Sequence, residues 1–223
     1  MNISVAIDGP AGSGKSTIAK LVGKRLNLFY IDSGAFYRTV TLYFLRNKVD
    51  FEDGKSVEKA LAEMDLDVIP SDGYFDIYLN DELMEDQIRT REVTFNVSPV
   101  SAIIAVREKL NTIFRELSHT RGVIMEGRDI GTVVLPKASF KFFLNASVEE
   151  RAGRRMKELK EKGEEHSFED IKKQIERRDR LDSTREIAPL KKALNAEEID
   201  TTGMTIEEVV GRIIMNIEGE ASR

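Results

Sequence analysis

Gly9-Pro10-Ala11-Gly12-Ser13-Gly14-Lys15-Ser16 follows the apolar run Ile3-Ser4-Val5-Ala6-Ile7 and precedes a helix-like stretch from Thr17 to Leu26. The eight residues fit G-x-x-x-x-G-K-[ST], the pattern of a loop that wraps a nucleotide's phosphates. Glycines let backbone N–H groups turn inward around anionic oxygens, and the helix that follows aims its positive dipole end at them. In such a loop Lys15 reaches the β- and γ-phosphates. Ser16 offers its hydroxyl to Mg2+, which keeps several waters and takes few protein ligands when phosphates share its coordination. A buried strand entering the loop and a helix leaving it supply the context that a bare spacing match lacks. Gly9, Pro10, Ala11, Gly12, Ser13, Gly14, Lys15, Ser16 and Thr17 are therefore expected to hold a nucleoside triphosphate.

Working outward, 223 residues suit one domain with appendages. The chain has no cysteine, hence no disulfide framework and no thiolate metal site, which suits a reducing compartment. The first strand begins almost at once, without a charged n-region, so no secretory signal is read and a cytoplasmic location is expected. No apolar run approaches the roughly 18 residues of a membrane span. A formal charge of −5 argues against binding a nucleic acid polymer, because contact with a phosphate backbone needs a basic surface. Neither a polymer nor a membrane is expected as a partner.

Strand-like and helix-like runs alternate along the chain. Phe29-Tyr30-Ile31 leads into a helix near Ala35, while Val123-Ile124-Met125 and Phe140-Lys141-Phe142-Phe143-Leu144 form two later strands. Alternation of this kind gives a parallel sheet covered by helices. Between the halves, Leu66 to Ile69, Tyr74 to Leu79 and Leu83-Met84 are strand-like, separated by Ser71-Asp72-Gly73 and Asn80-Asp81, and read as a small antiparallel insertion. Glu149 to Lys162 is almost continuously charged, with Glu150–Arg154 and Glu158–Lys162 at i,i+4 spacing. Ser167-Phe168-Glu169-Asp170 has the form of a capping box, so two charged helices joined by Gly163 to His166 make a hairpin with little apolar face.

Three further segments carry chemistry. Gly127-Arg128-Asp129-Ile130-Gly131-Thr132 follows the Val123–Met125 strand, with Glu126 at its tip, where ligands of open α/β sheets bind. Arg128 suits a phosphate and Asp129 a base amino group, although an Arg–Asp pair also stabilises surface loops. Asp32-Ser33-Gly34-Ala35-Phe36-Tyr37-Arg38 opens the next helix and is either a cleft contact or a helix cap. Arg178, Asp182 and Arg185 stand at i, i+4 and i+7, as a binding face or a solvated ion-pair ladder.

Together with Asp182-Ser183-Thr184-Arg185-Glu186-Ile187-Ala188-Pro189-Leu190, these segments resemble the bacterial cytidylate kinases, P-loop nucleoside monophosphate kinases, over essentially the whole chain. The resemblance implies an α/β fold of the P-loop NTPase type, a parallel five-stranded sheet flanked by helices. It also implies a small antiparallel insertion for the monophosphate at about 36–98 and a helical lid at about 149–184. The core would be 1–35, 99–148 and 185–223. It further implies transfer of the γ-phosphoryl group of MgATP to CMP or dCMP, by a monomer.

By position, Ser33, Arg107 and Asp129 would read cytosine, with Ser98 nearby. Arg38, Arg128 and Arg185 would hold the acceptor phosphate, while Arg178 and Asp182 would touch the ribose. Arg154 would pack near the ATP base, and Arg151 or Arg155 would approach its phosphates. Lys15, Arg128, Arg178 and Arg185 form the implied catalytic set, with Ser16 on Mg2+. The acid before Gly127 is Glu126, where relatives often have aspartate. An acceptor phosphate is already largely deprotonated at neutral pH, so no general base is needed.

Two other readings compete. Asn47-Lys48-Val49-Asp50 matches the guanine-reading N-K-x-D pattern of a GTP switch, but it lies too soon after the phosphate loop and ahead of Asp200-Thr201-Thr202-Gly203, the only tempting D-x-x-G. A P-loop kinase for UMP, AMP or a small metabolite is the nearer rival. His119 and His166 read as surface residues, and the methionines as core filling.

Overall fold

The apolar runs Val5–Ile7 and Val123–Met125 become neighbours in one sheet, each buried on both faces, as a parallel strand covered by helices must be. The computed structural model describes residues 3–161 and 163–221. Its central strands are β1 (Ser4–Asp8), β2 (Phe29–Asp32), β6 (Val123–Gly127), β7 (Phe140–Asn145) and β8 (Glu197–Asp200), all parallel in the order β2-β6-β1-β7-β8. Side chains alternate between two cores. Val5, Ile7, Ile124, Phe142 and Leu144 pack with α1 (Lys15–Leu26) and α8 (Ile206–Ala221) through Ile18, Val22, Val210 and Ile213. Ala6, Val123 and Met125 face Phe36 and Phe44 of α2 (Ser33–Arg46) and Leu110 and Phe114 of α5 (Ile104–Thr120).

The expected insertion is a three-stranded antiparallel sheet of β3 (Leu66–Ser71), β4 (Tyr74–Leu79) and β5 (Glu82–Leu83). Asp72 and Gly73 turn the hairpin with φ of 32° and 83°, a conformation that glycine adopts freely. This sheet meets the outer edge of β2: the Tyr30 backbone N–H donates to the Gly73 carbonyl at 2.9 Å. The rings of Phe29 and Phe75 lie 5.4 Å apart, and those of Tyr30 and Tyr74 6.0 Å apart.

Helices α3 (Gly54–Glu63) and α4 (Arg91–Ala102) flank the insertion. The charged hairpin is α6 (Val148–Glu161) and α7 (Phe168–Thr184), with Ser167 capping α7 by accepting from the Asp170 N–H. Glu150 and Arg154 pair at 3.0 Å as their spacing predicts, whereas Lys162 lies outside the described residues. The hairpin does have a small apolar seam of Ala152, Leu159, Ile171 and Ile175.

Some expectations need correction. Helix α7 ends at Thr184, so Arg185 is its cap residue and no single helix face carries all three charges. Met64, Met84 and Met125 are core residues, but Met156 and Met215 are exposed. Asn47 caps the end of α2 and Lys48 has φ of 51°, so the N-K-x-D match is a helix stop.

Candidate active site

The register of the sheet gathers its chemistry at the carboxyl edge, where Asp8 pairs with Gly127 and Asp32 with Glu126. From the end of β1 the phosphate loop turns back over the sheet. At Gly9, with φ of 152°, a Cβ would lie 2.0 Å from the Leu144 carbonyl, so only glycine fits. The Asp8 carboxylate accepts from the Ile130 and Gly131 N–H groups, each at 2.8 Å, fastening β1 to the Gly127–Thr132 segment. Burial pushes Asp8 up to about 6, against the two backbone donors that lower it.

Beyond this edge lies a cavity of about 190 Å³. Ala11, Gly12, Lys15, Ser16, Ser33, Arg38, Ser98, Arg128, Asp129, Arg178, Asp182 and Arg185 line it, so most residues singled out in the sequence converge here. Arg107 stands behind the wall, 3% exposed, and reaches Asp129. Arg154 is outside the cavity, donating to the Thr201 carbonyl at 2.7 Å and to its hydroxyl at 3.0 Å, beside Gly14 of the loop. Arg151 is buried against Ala11, whereas Arg155 pairs with Glu158 at the surface.

Each group has a definite electrostatic setting. Lys15 Nζ folds back onto the Pro10 carbonyl at 2.7 Å and the Ser13 hydroxyl at 3.3 Å. Burial, then the like charge of Arg128, pushes it down to about 7. Burial and the like charges around them also push Arg178 down to about 10 and Arg38 to about 9. Guanidinium groups stay charged at neutral pH, so this cluster carries a penalty that an anion relieves.

The Arg178 Nε is buried without a hydrogen-bond partner, as is the Tyr37 hydroxyl. Asp182 accepts from Arg128 Nε at 2.9 Å and from the Ser98 hydroxyl at 3.2 Å. Against the burial that raises it, Arg128 and Arg178 hold the Asp182 carboxyl below the usual range. An Asp182 only 4% exposed rules out a solvated ladder. Asp129 is held by Arg107 on one oxygen and by Arg185 at 3.1 Å on the other. Asp32 is indeed a helix cap, accepting from the Ala35 N–H at 3.0 Å, and Ser33 donates to the Glu126 carbonyl at 2.6 Å.

Glu126 is 5% exposed and accepts from the Tyr30 hydroxyl at 2.7 Å. Burial, then the charge of Asp32, pushes its carboxyl above the usual range, while Lys15, Ser16 and Tyr30 pull the other way. Among the described residues no group of three His, Cys, Asp or Glu could hold a metal by itself, and no helix is long and apolar enough to cross a membrane. His119 and His166 are exposed.

Sequence reasoning missed Asp8, Tyr30, Tyr37 and Arg89. A signal existed for Asp8, an acid closing a strand that is otherwise apolar. Tyr30 and Tyr37 sit inside apolar stretches and read as core, and Arg89, which joins the cavity wall, lies in the inserted segment with no local pattern.

The family model for cytidylate kinase matches residues 5–219. A cytidylate kinase of Fusobacterium nucleatum is 50% identical over 97% of this chain and 98% of its own length. One from Carboxydothermus hydrogenoformans is 47% identical, over 94% and 95%. One from Clostridioides difficile is 48% identical, over 97% and 98%. Among solved structures, shikimate kinase from Acinetobacter baumannii shares the fold with a TM-score of 0.51, at 12% identity over 99% of this chain and 95% of that one. Near-complete coverage at this identity leaves one assignment: the chain belongs to the cytidylate kinase family.

Proposed function

We propose that the chain transfers the γ-phosphoryl group of MgATP to CMP and dCMP, with the phosphate loop holding the donor and the residues across the cavity holding the acceptor. The observation that carries this reading is the cluster of Arg38, Arg128, Arg178 and Arg185 facing Lys15 in one cavity, with a buried Arg178 Nε that stands 3.9 Å from Asp182 and has no hydrogen-bond partner. Four guanidinium groups and a lysine fit a triphosphate and a monophosphate brought together. The relatives' names supply the base and the acceptor class.

Lys15 leaves the Pro10 carbonyl for the donor's β- and γ-phosphates, where its charge is favoured. Arg38, Arg128 and Arg185 orient the acceptor phosphate, and Arg178 and Asp182 its ribose. Ser33, Ser98 and Asp129 surround the base, and Arg107 serves its recognition from behind the wall by holding Asp129. A carboxylate accepts from the N4 amino group of cytosine, whereas uracil offers O4, an acceptor, at that position. In-line positioning and charge stabilisation then supply most of the rate. Residues at about 36–98 bind the monophosphate. Those at about 149–184 form a lid that excludes water, with Arg154 against the ATP base and Arg151 anchoring the lid to the loop.

The Ser16 hydroxyl next to the Glu126 carboxyl is an oxygen pair that suits Mg2+, Ser16 directly and Glu126 through water. Held there with the phosphates, Mg2+ would supply positive charge against the negative charge that develops in transfer. The protein acts as a monomer in the cytoplasm.

A coupled ADP-release assay across CMP, dCMP, UMP, AMP and GMP, with a no-acceptor control, tests the reading. CMP and dCMP should exceed UMP in kcat/KM by about a hundredfold or more. Equal values for CMP and UMP would remove the cytosine assignment, and full ADP release without acceptor would make the chain an ATPase.

A further inference from the structure

Asp179 follows Arg178 on α7, yet its carboxylate is bound to the phosphate loop. One oxygen accepts from the Ala11 backbone N–H at 3.0 Å, and the other accepts from Arg151 Nη1. The same Nη1 donates to the Ala11 carbonyl at 2.9 Å, and Arg151 Nε donates to the Ala146 carbonyl at 3.0 Å, at the root of α6. Both polar groups of Ala11 are thus clasped by one partly buried ion pair, its side chains 5% and 18% exposed. At Gly12 a Cβ would come within 3.2 Å of the Arg151 Cβ, so α6 seats as closely on the loop as glycine allows.

A carboxylate beside a triphosphate loop repels the ligand, and Arg151 cancels that charge. What the pair adds is a tie. Helix α7 also carries Arg178 and Asp182, which face the acceptor side of the cavity. We propose that Asp179 is a positioning residue: through the Ala11 clasp it fixes the donor loop to the helix that holds the acceptor, so both phosphates are set in register by one rigid connection. This rests on the phosphotransfer reading above. It predicts a particular split, because Asp179 does not line the cavity and acts on the substrates only through Ala11, governing their mutual placement. A misplacement of about 1 Å costs about a hundredfold in rate.

The test uses Asp179→Ala, Asp179→Asn and Asp179→Glu, together with Arg151→Ala and the Arg151→Ala/Asp179→Ala pair. The expected result for Asp179→Ala is a kcat lower by about tenfold to a hundredfold, with CMP affinity by titration within about twofold of wild type. Asp179→Glu should recover part of the rate, and the double variant should lose no more than the worse single one. Hydrogen exchange of the segment 9–14, measured without nucleotide, should quicken in Asp179→Ala and less in Asp179→Asn, which keeps an acceptor for the Ala11 N–H. Should Asp179→Ala not fold, Asp179→Asn is read by the same measures. A kcat within about twofold of wild type in both neutral variants, or CMP affinity falling in step with kcat, overturns the proposal. The exchange measurement needs no substrate, so it tests the clasp even if the wild type proves inactive on CMP.

Discussion

Arg107 and Asp129 meet as a buried ion pair, and Arg185 closes on the second oxygen of the same carboxylate at 3.1 Å. The acid proposed to read the base is therefore already neutralised twice. In that proposal it would meet the cytosine amino group with lone pairs left over from two guanidinium groups, in a wall that cannot shift without stranding charge.

Asp129→Ala should consequently damage both stability and specificity. Removing the carboxylate leaves Arg107 uncompensated at 3% exposure, which costs about 3–5 kcal/mol. Urea titration should show that loss. At a temperature where the variant is folded, kcat/KM for CMP should fall about a hundredfold or more while ATP affinity changes far less. Equal losses for both nucleotides would count against Asp129 as a base contact.

Lys15 gives a prediction about protons. Free, it is pushed down to about 7 by burial and by Arg128, so at pH 8 most of it is neutral. A bound triphosphate favours the ammonium form and raises that value, so binding takes up a proton between about pH 7 and the ordinary lysine range near 10.4. ATP titration calorimetry at pH 8 in buffers of different ionisation enthalpy should report net uptake, absent in Lys15→Met. Affinity should weaken as pH rises through this window. Pure proton release at pH 8 would contradict the assignment.

Asp8 should matter to the fold through two backbone groups. Asp8→Ala strands the buried Ile130 and Gly131 N–H groups, each costing about 1–3 kcal/mol. Thermal unfolding should show a marked drop in Tm. Asp8→Asn should recover little, because its NH2 would face one of the two donors. A Tm close to wild type in both variants would mean that another acceptor serves these groups.

Glu126→Gln probes the metal reading. With its charge gone but its shape and the Tyr30 contact kept, the Mg2+ concentration for half-maximal rate should rise several-fold, and KM for CMP should stay near wild type. An unchanged Mg2+ dependence would remove Glu126 from the ion's surroundings.

Four of the five central strands were legible because each is an apolar run bounded by polar turns, as Val123-Ile124-Met125 is by Gly122 and Glu126. Strand β8, Glu197–Asp200, was not, since Ile199 is its one apolar residue and an edge strand needs no more. It was expected only as part of the resemblance. The same division holds at the site. The phosphate loop is written in consecutive residues and can be read as such, and so can Arg128 and Asp129. The Ala11–Asp179 clasp joins residues far apart in the chain through one member of a charged helix, and nothing local marks which acid in such a run turns inward. Register supplied what spacing could not, since Asp8 meets Gly127 only once β1 and β6 are aligned.

The hydrogen bond from the Tyr30 N–H to the Gly73 carbonyl has a bearing beyond nucleotide binding. The two edges of the central sheet are β2 and β8, and exposed edges invite pairing with another chain. Strand β8 is short and carries Glu197 and Glu198, which deter a neighbour. Strand β2 has the apolar run Phe29-Tyr30-Ile31 with its one acid, Asp32, only at the end, and the hairpin tip lies across it with the Phe75 and Tyr74 rings on its flank. An insertion proposed for acceptor binding thus also shields the sheet against self-association. A chain with residues 66–83 replaced by a short glycine linker should show an apparent mass by light scattering that rises with its concentration, even while β1, β6 and β7 still pair.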